Sequence, residues 1–142
     1  MIKRTALAVW QGNLKDGNGS LELGSGAFKG AYSFTSRFEE GTGTNPEELI
    51  GAAHAGCFSM ALSGELSKAG YTVDEIKTEA IVSMDKGEAG FEITNIKLVT
   101  KARVKDIEMD EFAKFASGAK DNCPVSRALA AVQVQLEAHL LK

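Results

Sequence analysis

Two cysteines, 66 positions apart, are the residues of this chain whose surroundings could do chemistry. Cys123 stands in DNCPVSRAL, directly before Pro124, at or beside a helix N-terminus. Free backbone N–H groups and the positive end of the helix dipole there favour a thiolate, while a cysteine that merely caps a turn would look the same. Cys57 lies in the alanine-rich stretch AAHAGCFSMALS, Ala52 to Ser63, which reads as the interior of a helix. A thiol buried among alanines has a raised pKa and is inert unless a cation stands beside it. Two cations are within the chain's reach. His54 is three residues earlier on the same helical face, and Arg37 lies in SRFEE, shortly before the helix. An arginine in that role needs a carboxylate to orient it, and Glu48 is a candidate. The residues alone therefore leave two readings open: packed inert thiols, or redox chemistry.

Spacing constrains any site that uses both Glu48 and Cys57. Nine residues on a straight helix span roughly 13 Å and about half a turn. The two share a site only if the helix breaks near Gly51 or if Glu48 comes from a second copy of the chain. Small residues at Gly51, Ala52, Ala55 and Gly56 would let two such helices approach closely.

The elements that must position these groups follow from pattern. RTALAVWQ reads as a strand buried on both faces, DGNG as a turn, SLELG as a second strand and Ala31 to Glu39 as a third. Asn45, Pro46 and the acidic Glu47 and Glu48 mark a helix start, with Glu48 at the capping-box position. That helix should run to about Ala69, stop at Gly70 and be buried around its circumference. Two long strands joined at GEAG follow as a hairpin, with a slip in the apolar alternation between Phe91, Ile93 and Ile96, Leu98. MDEFAKFASGAKDN is a helix capped by Asp110, NCPVSRALAA a shorter one, and VQVQLEAHLL a final alternating strand. The class is α+β, in one domain over residues 1–142.

Other chemistry is excluded or disfavoured. A net charge of −3 without Lys/Arg runs argues against a nucleic-acid face. Two cysteines and two distant histidines, His54 and His139, are too few for a typical zinc site. GSGAFKG lacks the spacing and ending of a phosphate loop. No signal peptide or membrane span is expected, so the chain reads as cytoplasmic.

SRFEEGTGTNPEELIGAAHAGCFSMALS, followed by DNCPVSRAL, closely resembles the osmotically inducible protein C (OsmC) family and its organic hydroperoxide resistance relatives, over essentially the whole chain. The resemblance implies cofactor-free, thiol-dependent peroxidases of the oxidative and osmotic stress response, acting on organic hydroperoxides and less well on hydrogen peroxide. It assigns the peroxidatic role to Cys57, which passes through a sulfenic acid, and the resolving role to Cys123, which forms a disulfide with it. Arg37 and Glu48 would attend the thiolate. It implies an intertwined homodimer, β(3)-α-β(2)-α(2)-β per subunit with a long buried central helix, and a dithiol reductant, often of the lipoyl type. Two rivals stand beside it: a hydrolase using Cys57 with His54, and a thiol redox sensor or binding module.

Overall fold

The computed structural model describes every residue, 1–142, and divides into two compact units, residues 1–49 and 50–142. In the first, β1 (Ala6–Gln11), β2 (Asn18–Leu23) and β3 (Lys29–Tyr32) form an antiparallel sheet in that order. The third strand is shorter than its strand-forming composition suggests. Residues Phe34–Phe38 instead form a short helix, α1. The cause is a local capping box: the Ser36 N–H bonds Ser33 Oγ while the Ser33 N–H bonds Ser36 Oγ, and such side-chain bonds offer the backbone an alternative to the sheet ladder. The expectation that β1 is buried on both faces also fails, since Leu7 is 61% and Val9 43% exposed.

The long helix, α2 (Pro46–Lys68), is uninterrupted at Gly51. Its start is made as expected by Asn45, whose Oδ1 accepts the Glu48 N–H at 2.8 Å. It ends in a Schellman motif: Gly70 has φ +92°, its N–H bonds the Ser67 carbonyl, and the Tyr71 N–H bonds that of Leu66.

In the second unit, β4 (Val73–Gly87) and β5 (Gly90–Val104) form the hairpin, and β6 (Gln133–Leu141) joins β5 in parallel. The slip in alternation is a bulge: Ser83 pairs with Asn95 but Met84 with Ile93, leaving Thr94 extra. Beyond it, Ile96, Leu98, Thr100 and Ala102 point into the core at a period of two. Between hairpin and last strand run α3 (Met109–Asn122) and α4 (Pro124–Ala128). Glu108, not Asp110, is the N-cap of α3, and no side chain bonds there.

Phe58, Leu62 and Leu66 of α2, spaced by four, enter one core with Ile96, Leu98 and Ala102 of β5 and Phe112, Ala116 and Ala119 of α3. A row of hydroxyls crosses this helix–sheet contact, Ser59 to Thr78 at 2.8 Å and Thr78 to Thr100 at 3.0 Å. The helix is nonetheless not buried all round. Ala52, Ala53, Gly56, Met60 and Gly64 are exposed, with Met60 at 79%. Gly51 belongs to the inner face: a Cβ there would stand 3.3 Å from Val82. Of the small residues expected to admit a second helix, Gly51 therefore admits this chain's own β4.

Candidate active site

Cys57 is half-buried on the inner side of α2, and Cys123 is fully buried where α3 ends and α4 begins. Both are free thiols. They lie within hydrogen-bonding reach of each other, although 66 positions separate them. The last turn of α3 and the proline-started turn of α4 bring them together, because Cys123 is at once the C-cap of one and the N-cap of the other. Pro124 has no N–H to offer. The next two N–H groups of α4 are divided between the sulfurs: Val125 donates to Cys57, and Ser126 donates to Cys123 Sγ at 3.3 Å.

Burial pushes the Cys57 thiol above its ordinary pKa, the Val125 N–H opposes that rise, and the adjacent Cys123 adds to it. A second sulfur raises the pKa because two thiolates so close would repel, and because a thiol that shares its proton resists losing it. Cys57 thus gains one thiolate-stabilising N–H but keeps the net upward shift that its alanine-rich surroundings foretell.

His54 is not the missing cation. It is fully buried, and burial lowers its pKa, which keeps the ring neutral. Its Nε2 lies 2.7 Å from Ser126 Oγ, and the Cys123 thiol donates to that same oxygen at 3.1 Å. The Cys57–His54 pairing that a hydrolase needs is replaced by a bond that leads to the other cysteine.

The first unit holds Arg37 and both glutamates. Arg37 is in α1, not at the end of a strand. Its Nη2 donates to Glu47 Oε1 at 2.8 Å and its Nε reaches both Glu47 oxygens, at 3.2 and 3.3 Å. The guanidinium also lies 5.0 Å from the Phe38 ring centre. Glu48, the carboxylate foreseen for it, is exposed and accepts a bond from Thr44 Oγ1 instead. Neighbours on a helix are about 100° apart, so only one of the two glutamates can face Arg37.

Ser126, Val125 and Glu47 are the site-building residues that spacing did not single out. Ser126 was readable in principle: in Cys-Pro-Val-Ser it occupies the third helical position, whose N–H points back at the cap. A cavity of about 740 Å³ opens on this side of the second unit, lined in part by Ala61, Glu65, Glu111, Phe115, Cys123 and Pro124.

The chain is similar to known proteins in both sequence and fold. The family model described as OsmC-like protein matches residues 39–137. The chain is 48% identical over 131 residues to peroxiredoxin OsmC of Escherichia coli (strain K12), covering 92% of each. It is 34% identical over 98 residues to organic hydroperoxide resistance protein OhrB of Bacillus subtilis (strain 168), covering 68% of this chain and 70% of that one. The crystal structure of OhrB of Bacillus subtilis superposes with a TM-score of 0.71 at 26% identity, over 96% of this chain and 98% of that chain. The OsmC-like protein of Mycoplasma pneumoniae gives a TM-score of 0.78 over 99% of both chains at 14% identity, a likeness of fold alone. With a matching family model over most of its length and a relative 48% identical across nine-tenths of it, this chain belongs to the OsmC-like family.

Proposed function

We propose that the protein is a cysteine-dependent peroxidase for organic hydroperoxides, acting as a single functional domain over residues 1–142. The observation that carries this reading is the meeting of two free thiols from distant parts of the chain, one half-buried and one fully buried. The relatives' names, peroxiredoxin OsmC and organic hydroperoxide resistance protein, support it. The Cys57 thiolate attacks the outer peroxide oxygen, the O–O bond breaks, the alcohol leaves and Cys57 becomes a sulfenic acid. Cys123 then displaces hydroxide from that sulfur and forms the disulfide, which a dithiol, such as a lipoyl group, reopens by exchange.

Arg37 supplies the positive charge that Cys57 needs, and Glu47, its partner in the salt bridge, holds it in place. Glu48 stands one helical position away at the same end of α2. The helix runs unbroken from Pro46 to Lys68, so on a single chain both glutamates stand roughly 13–15 Å along its axis from Cys57. We therefore assign the arginine–glutamate pair to the Cys57 of a second copy, in a homodimer with two sites. The exposed small and apolar face of α2 supports such a pairing. No helix is long and apolar enough to cross a membrane, and the reducing cytoplasm, where both thiols would be kept ready, is the compartment that suits this cycle.

The test is a thiol count with a peptide map, before and after one equivalent of an organic hydroperoxide. Loss of both thiols with a Cys57–Cys123 linkage is the expected result. Persistence of both thiols, with the peroxide unconsumed, would return Cys57 to a packing role. In Cys123→Ser one peroxide should be consumed per site and no more, whereas a hydrolase would not respond to that change.

A further inference from the structure

We propose that His54, acting through the Ser126 hydroxyl, accepts the proton of the Cys123 thiol as Cys123 attacks oxidised Cys57. The inference rests on the two-cysteine reading above and assigns a base to its second step.

The geometry is a directed chain. Cys123 Sγ–H donates to Ser126 Oγ at 3.1 Å, and Ser126 Oγ lies 2.7 Å from His54 Nε2. A hydroxyl that accepts from a thiol still has its own proton to give. His54 can receive it when Nε2 carries the lone pair and Nδ1 the hydrogen. All three residues are buried, with His54 and Cys123 at 0% exposure and Ser126 at 7%. Cys123 has no exposed surface, so an internal acceptor matters here more than at a surface thiol. Both thiols belong to the neighbourhood of His54, Cys57 one turn along its own helix and Cys123 across Ser126. Burial lowers the His54 pKa. The ring is therefore neutral at rest and free to accept. His54 Nδ1 has no hydrogen-bond partner, so no neighbour fixes the opposite tautomer.

The step balances. The Cys123 thiol proton moves to Ser126 Oγ while the Ser126 proton moves to His54 Nε2. The Cys123 lone pair forms the S–S bond as the S–O bond of the Cys57 sulfenic acid breaks. The departing hydroxide takes the proton held on His54, back through Ser126, and leaves as water. The oxidant is the sulfenic acid itself. Ser126 touches the reacting sulfur and is the catalytic residue of this step; His54 acts through it and is a positioning residue.

The experiment follows conversion of the Cys57 sulfenic acid to disulfide after one equivalent of tert-butyl hydroperoxide, by quenching into dimedone between pH 6 and 9.5 and mass analysis. In Ser126→Ala and His54→Gln, resolution at pH 7 should slow about 10²-fold, a typical loss for removal of a general base. The deficit should shrink towards pH 9.5, where hydroxide from solution stands in for the missing base. A deficit that stays constant with pH would mean that these residues only pack, and a variant as fast as wild type would equally overturn the relay. Wild type that forms no Cys57–Cys123 disulfide would instead overturn the two-cysteine reading and the relay with it. Should the variants misfold, ¹⁵N-histidine NMR of the reduced wild-type protein decides the matter. A non-protonated Nε2 on His54 is the expected result, and an Nε2–H would overturn the relay.

Discussion

Cys57 shows how little a single residue settles by itself. Its sequence surroundings predict a raised pKa, and the structure gives one, with burial as the main cause. A thiol in that state reacts slowly at neutral pH, so the activity proposed for it depends on a cation. Replacing Arg37 with alanine should shift the pH–rate profile of peroxide consumption upward by about one to two units, a loss of roughly 10- to 100-fold at pH 7. An unshifted profile would remove Arg37 from the site. Glu47→Gln should reproduce part of that shift and Glu48→Gln should not, because only Glu47 holds the guanidinium. His54 makes a separate prediction. Its folded-state pKa lies below the unfolded value of about 6.5, so the unfolded chain binds the proton first as pH falls. Stability is fully present above about pH 6.5 and declines below it, by at most about 1.4 kcal/mol per pH unit from this group. Urea midpoints at pH 7.5 and 5 should therefore differ more for wild type than for His54→Gln.

At the scale of elements, the parts fixed by local chemistry were legible and those fixed by competition were not. Asn45-Pro46-Glu47-Glu48 announced the start of α2, and Gly70 announced its end, because caps and positive φ angles are decided within a few residues. The hairpin was legible even to its bulge, since a phase slip in a period-two pattern has few other causes. The short helix α1 was not: Tyr32, Phe34 and Thr35 favour strand, and only the reciprocal bonds of Ser33 and Ser36 reverse that preference. The same limit hid half of the arginine–glutamate pair. Which of two adjacent acids faces Arg37 depends on helix rotation, and the sequence carries no strong signal of that. Asn45 makes the element-scale prediction. It caps α2 and also donates to the Ser36 carbonyl at 3.2 Å. Asn45→Ala should cost about 1–2 kcal/mol in a denaturant titration. A change below ~0.3 kcal/mol would show that water replaces the cap without loss.

Across the whole molecule, the unexpected exposure carries the information. Leu7 and Val9 on β1, Met60 on α2, and Ile81 and Phe91 on the hairpin are all open to solvent. The pattern reading foresaw burial for β1 and for all of α2, which is what such sequences ordinarily mean. A second copy of the chain would restore that burial, as the proposed dimer requires. Met60→Glu should then yield folded protein that sediments as a monomer and has lost turnover, since Arg37 would no longer reach the opposite Cys57. A Met60→Glu protein that remains a fully active dimer would place the contact elsewhere, and a monomeric wild type with full activity would end the proposal.

The distance along the chain between Cys57 and Cys123 has one more effect. A bond between them would close a loop of 66 positions, and a covalent loop of that length removes enough freedom from the unfolded chain to favour folding by about 4 kcal/mol on the chain-entropy model. Each peroxide consumed would thus leave behind a more heat-resistant molecule, and each reduction would soften it again. The melting temperature becomes a gauge of how much of a population has met peroxide: treated protein should melt several degrees above reduced protein, and Cys123→Ser should melt at one temperature whether treated or not.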